Sequence, residues 1–141
     1  MAKKVKQETT QKPKRNRRGA AARRKGNAYE VQICKELNEL GFNCVTSRSE
    51  SKSTDDNKID IIDKSNKLPA FIQVKKTQAI PQYFKIRSES TVDPDKFTII
   101  WNKLEAKETN ICSIGEMVMI SKKFFYELIK PYGNGEGKNN N

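Results

Sequence analysis

The sequence predicts an α/β fold, a small mixed sheet flanked by helices. Three observations predict it. An amphipathic helical stretch covers residues 26 to 40. Two short apolar strings, Ile59-Asp60-Ile61-Ile62 and Phe71-Ile72-Gln73-Val74-Lys75, have the length and β-branched content of strands. A crossover segment separates them from a further buried strand pattern, Phe97-Thr98-Ile99-Ile100-Trp101. A chain of 141 residues holds one domain with a modest core.

The net charge of +11 is unevenly spread. Residues 1 to 25 carry eleven Lys and Arg against one acid, Glu8, while the rest is nearly neutral. A run such as Lys12-Pro13-Lys14-Arg15-Asn16-Arg17-Arg18 buries too little apolar surface to fold, so residues 1 to 25 read as a disordered basic arm. Such an arm attracts polyanions by releasing their counterions. The plainer alternative is a solubilising tail.

In the first helix Ile33, Cys34, Leu37 and Leu40 fall on one side and Gln32, Lys35, Glu36 and Glu39 on the other. Gly41 is the expected stop. Glu30 falls on the apolar side, where a carboxylate needs a reason. Phe42 to Thr46 reads as a strand, 47 to 57 as a polar loop, and Ile59 to Asp63 as a second strand. A turn centred near Asn66 returns the chain into a third strand ending at Lys75. Gln78 to Glu89 suits a short helix or irregular crossover beginning near Pro81. Phe97 to Trp101 and Glu116 to Ile120 are the last strands. Ser121 caps a closing helix that Pro131 ends. The folded domain is thus 26–131, followed by a flexible Gly/Asn-rich tail at 132–141.

The chain has no His, and Cys34, Cys44 and Cys112 lack metal-ligand spacing. That argues against the usual zinc sites and a Ser-His-Asp triad, and it favours reduced core cysteines. No apolar run follows the basic N-terminus or reaches membrane-span length, so a cytoplasmic protein without membrane contact is expected.

The hairpin register sets Asp60 opposite Gln73 and puts Gln73 and Lys75 on one strand face. Phosphodiester hydrolysis needs an activated water and charge neutralisation, and Mg²⁺ bound by oxygen ligands supplies both. Asp60, the amide oxygen of Gln73 and the carbonyl of Val74 are the candidate ligands, with Glu30 reaching in directly or through a water. Lys75 is placed to orient the water or stabilise the phosphorane. Taken singly, Asp60 and Lys75 could be solvated hairpin residues, and Glu30 could pair with Lys75.

The pattern Lys25-Gly26-Asn27-Ala28-Tyr29-Glu30, Leu40-Gly41-Phe42, Arg48, Ile59-Asp60-Ile61-Ile62 and Gln73-Val74-Lys75 resembles the PD-(D/E)XK nuclease superfamily. Within it, the pattern is most similar to archaeal-type Holliday-junction resolvases. The resemblance covers about residues 25 to 78, a little over a third of the chain. It implies a restriction-endonuclease-like sheet, catalytic positions at Glu30, Asp60, Gln73 and Lys75, and one functional loop serine among Ser47, Ser49 and Ser51. It further implies Mg²⁺ dependence, with Mn²⁺ substituting, branched DNA as substrate, and a homodimer that cuts a two-fold junction twice. Gln73 departs from the usual Glu, though Mrr-type restriction nucleases also use Gln-x-Lys. Asp55 or Asp56 could substitute a carboxylate, although a turn-forming role suits them better. The alternatives are a restriction-like or repair nuclease on duplex DNA, a catalytically inactive DNA-binding relative, and an unrelated basic-tailed structural protein.

Overall fold

The computed structural model describes residues 17–50 and 58–133. These residues form a mixed α/β structure, with three α-helices and one five-stranded sheet among them. The order is α1 (Arg17–Glu39), β1 (Cys44–Thr46), β2 (Ile61–Asp63), β3 (Phe71–Thr77), α2 (Tyr83–Ser88), β4 (Phe97–Ala106), β5 (Ile111–Met119) and α3 (Lys122–Gly133). The strands lie side by side in chain order. All neighbours are antiparallel except β3 and β4, which run parallel and are joined through α2.

The sheet is packed on both faces. On one, Tyr29, Ile33 and Cys34 of α1 meet Cys44, Ile61, Ile72 and Val74. On the other, Tyr83 of α2 meets Ile59, Phe97, Ile99 and Trp101, and its hydroxyl donates to the Phe97 carbonyl at 2.7 Å. Burying each such side chain stabilises by about 1.5–3 kcal/mol. Gly41 ends α1 with a φ of +109°, a left-handed conformation that a side chain would strain. The backbone N–H groups of Gly41 and Phe42 then close on the Asn38 and Leu37 carbonyls, as the sequence predicts. Asn38 also accepts from the Cys44 N–H at 2.5 Å and donates to the Cys44 carbonyl at 3.1 Å. One side chain thereby satisfies both backbone groups of Cys44, on edge strand β1, and ties it to α1.

Several boundaries differ from expectation. α1 starts at Arg17, so residues 17–25 of the expected disordered arm are helical; residues 1–16 lie outside the described residues. Helix continuity from the packed segment carries the basic residues into regular structure. Leu40 is not in the apolar stripe: it follows the last helical residue and is 74% exposed. β4 and β5 extend well beyond the apolar strings, through Lys103–Ala106 and back from Ile111. The outer half of this hairpin is solvated, so hydrophobic patterning never marks it. Cys112 belongs there and is half-buried, whereas Cys34 and Cys44 are core thiols.

Ser121 caps α3, its Oγ accepting from the Phe124 N–H at 3.0 Å. Pro131 does not end α3, which continues to Gly133. A proline so near a helix C-terminus forfeits one hydrogen bond in a turn that already frays. Phe124 anchors α3, helped by Lys123 on Asp95 at 2.8 Å and Lys96 on Glu127 at 3.0 Å. Phe125, Leu128, Ile129 and Tyr132 stay exposed. Among the described residues no helix is long and apolar enough to cross a membrane.

Candidate metal site

The site begins with a parting of two strands. Ile61 pairs with Ile72, the only registered pair between β2 and β3 among the described residues. Just upstream, Lys58 has a φ of 64°, a left-handed bend that swings the chain before Ile59 and Asp60. Asp60 still holds β3 from beyond the end of β2. Its N–H donates to the Ile72 carbonyl at 2.9 Å, and its Oδ2 accepts from the Val74 N–H at 2.8 Å. These two bonds bracket Gln73. On the other side the Asp60 carbonyl accepts from the Ser47 N–H at 2.8 Å.

Gln73 is 7% exposed, and its Oε1 is fully buried with no hydrogen-bond partner among the described residues. Leaving a buried amide oxygen unpaired costs about 1–3 kcal/mol. Native interiors pair nearly all such groups, so an orphan at this position calls for a partner. In parallel register Gln73 sits beside Ile99 and Lys75 beside Trp101. Gln73 and Lys75 therefore share the face opposite α1, and Lys75 is half-buried at the end of it. The Trp101 indole N–H donates to the carbonyl and Oγ1 of Thr77, fixing the strand end next to Lys75.

Glu30 comes from the α1 layer. It is 6% exposed and accepts two hydrogen bonds from Nη2 of Arg48, at 3.0 and 3.2 Å. This pair gives a buried carboxylate a cationic partner. Arg48 lies in a 3₁₀ turn, Ser47–Ser49, whose first residue bonds Asp60, so Glu30 connects to Asp60 through that turn. Beside Glu30, Tyr29 donates its hydroxyl to Glu116 Oε2 at 2.7 Å, and Lys76 Nζ lies 5.8 Å from the Tyr29 ring centre. Burial, then the hydrogen bond to Glu116, pushes the Tyr29 hydroxyl far up and keeps it protonated. Burial pushes the Cys34 thiol up to about 11, with Cys44 and Glu30 adding to it, so that thiol is no nucleophile at neutral pH.

The predicted residues are thus sorted. Asp60 bonds the β3 backbone at Ile72 and Val74, on either side of Gln73; Lys75 follows on the same face as Gln73. Glu30 joins through Arg48 from the opposite layer. Ser47 is fully buried and Ser49 Oγ donates to the Thr46 carbonyl at 2.8 Å. Ser51, Asp55 and Asp56 lie outside the described residues. The sequence does not reveal Arg48 as the partner of Glu30; a buried Glu30 demands a cation, but many basic residues could supply it.

A hard divalent cation fits this donor set, because the unpaired Oε1 of Gln73 and the Asp60 carboxylate are oxygen ligands. Among the described residues no cluster of three His, Cys, Asp or Glu is placed to hold a metal. No family model, curated protein or solved structure matches the chain.

Proposed function

We propose that this protein is a Mg²⁺-dependent DNA endonuclease of the PD-(D/E)XK type, with a restriction-endonuclease-like sheet and branched DNA as its substrate. The observation that carries the reading is the buried, unpaired Oε1 of Gln73, bracketed by the two hydrogen bonds of Asp60. Asp60 and Gln73 would hold the cation, with the Val74 carbonyl as a further donor. When bound, the cation would supply Lewis-acid chemistry at the scissile phosphate and its attacking water.

The chain's own groups do the rest. The Val74 N–H fixes the Asp60 carboxylate, so it needs no reordering when substrate arrives. Lys75 presents an ammonium from the strand that carries Gln73, where it stabilises the charge that builds on phosphorus. Arg48, half-exposed at the mouth of the 3₁₀ turn, pairs with Glu30 and offers its outer guanidinium edge to a neighbouring phosphate. Paired cuts in a two-fold junction require a homodimer.

A catalytically silent DNA-binding relative is the second reading, favoured by the ion pair that engages Glu30 with Arg48. Incubating the protein with a synthetic four-way junction, a flap and a plain duplex, with Mg²⁺ or Mn²⁺, separates the readings. Cleavage confined to the junction is the expected result. Equal cleavage of plain duplex points to a restriction-like or repair enzyme. Binding without cleavage under either metal points to the silent relative. Full cleavage by Asp60→Ala would sink the site assignment.

A further inference from the structure

The N-terminal half of α1 is a helical extension with little to hold it. α1 is unbroken from Arg17 to Glu39, yet its first core residue is Tyr29. Of the residues whose side chains are described ahead of Tyr29, none is buried, and Arg23 and Arg24 are exposed. The space around Gly26 is open: beyond its chain neighbours and its own helix backbone, no described atom lies within 4 Å of where a Cβ would stand. This segment has Arg17, Arg18, Arg23, Arg24 and Lys25 and no acid, whereas the packed half has Glu30, Glu36 and Glu39 against Lys35. The charge boundary and the packing boundary coincide.

A second cation lies where the extension meets the body. Lys76 places its Nζ over the ring of Tyr29, the first packed residue of α1, and Lys76 is the immediate neighbour of Lys75. Basic groups therefore run from the extension, past Tyr29, to the strand that carries the candidate site. At 1.5 Å per residue, Arg24 stands about 9 Å along the helix axis from Glu30. A continuous helix fixes that offset and its angular phase, which a disordered arm could not.

We propose that residues 17–25 form a rigid basic rod that lies against the phosphate backbone of a nucleic-acid duplex and sets its phase relative to the site. The partner is identified by charge: a helical segment with five cations and no acid, its described arginines Arg23 and Arg24 exposed, matches a phosphate array. This rests on the nuclease reading only for what the rod positions; the binding itself stands apart from any cleavage.

The test is duplex binding by the full chain, read as affinity against salt. Arg23→Gln/Arg24→Gln should lower the slope of log K against log salt by about 2, near one unit for each phosphate that is no longer neutralised. Rigidity is tested by inserting alanines between Gly26 and Asn27, neither of which is buried. Two alanines turn the upstream arginines by about 200°, and four bring them back to within about 40°. A rod predicts at least a tenfold loss of affinity for the two-alanine variant and recovery to within about threefold for the four-alanine variant. Equal affinity for both insertions overturns the rod, and an unchanged slope for the arginine double variant overturns the binding surface. Melting temperatures of all variants should match the wild type, because no core residue is touched. None of these readouts requires cleavage, so an inactive protein defeats the nuclease reading and leaves this one standing.

Discussion

Val74 donates its backbone N–H to Oδ2 of Asp60 at 2.8 Å, so a side chain from outside the strands occupies a ladder position on β3. The carboxylate therefore contributes both a structural bond and a charge, and substitutions can separate them. Asp60→Asn keeps an acceptor for Val74 and removes the charge; it should melt within a few degrees of the wild type and cut nothing. Asp60→Ala removes both and should also lose about 1–3 kcal/mol, because the Val74 N–H is left unpaired. Denaturant titration beside a junction-cleavage assay checks both variants.

Gln73→Met is close to isosteric and deletes the orphaned oxygen. Without metal it should be at least as stable as the wild type, since no buried acceptor is left unpaired. The wild type should gain melting temperature on adding Mg²⁺, and Gln73→Met should not. Gln73→Glu should behave in the opposite way. A carboxylate at a position only 7% exposed is pushed up in pKa by burial. Its cost in metal-free buffer then appears as pH rises above the usual carboxylate range, and Mg²⁺ should remove it. Thermal melts at pH 5 and pH 8, with EDTA or Mg²⁺, read both effects.

The Glu30–Arg48 pair should behave as a unit. Arg48→Gln takes the guanidinium away from a buried carboxylate, and Glu30→Gln takes away the carboxylate that ties Arg48 to α1. Arg48 is 46% exposed, so solvent screening brings the coupling down to about 1–2 kcal/mol, well below that of a fully buried pair. A double-mutant cycle on unfolding free energy measures it; a coupling near zero would show that the pair is incidental.

Asp63 staples the β2–β3 hairpin. Its Oδ1 accepts from the N–H groups of Asn43 and Ser65, and its Oδ2 from those of Lys67 and Leu68. Desolvation pushes its carboxyl up, but the hydrogen bonds from Ser65, Asn43, Lys67 and Leu68 outweigh it and hold the group well below the usual range. A depressed carboxyl contributes stability that is present above its unfolded pKa, about 3.9, and lost as pH falls through the folded value. The wild type should therefore melt above Asp63→Asn at pH 7, and the gap should close as the pH is taken below about 3.

The sheet order around the site is legible in the sequence because apolar alternation and turn chemistry agree there. Asn66 takes a φ of 58° at the turn, and Ile61, Ile72 and Val74 are buried as their alternation requires. The outer halves of β4 and β5 stay hidden for the opposite reason: Lys103, Glu105 and Ser113 lie on a solvated hairpin, so backbone pairing alone defines them. The start of α1 escapes a sequence reading because a dense charge run favours disorder in isolation, and only the attached packed helix reverses that. At the site, Asp60 and Gln73 are visible as a pair, since antiparallel register is arithmetic. That Asp60 bonds Val74, and that Arg48 claims Glu30, depends on side-chain directions at irregular backbone, which no periodicity encodes.

The strand order has a consequence for how the molecule assembles. Every strand neighbours its predecessor in the chain, so most of the sheet can form by local zipping with little loop-closure entropy. The exception is the parallel pairing of β3 with β4, which must wait for the intervening α2 segment. Gln73 and Lys75 acquire their neighbours Ile99 and Trp101 only at that step. The candidate site is then among the last parts of the chain to be completed, and the slowest folding phase should coincide with the appearance of its metal response.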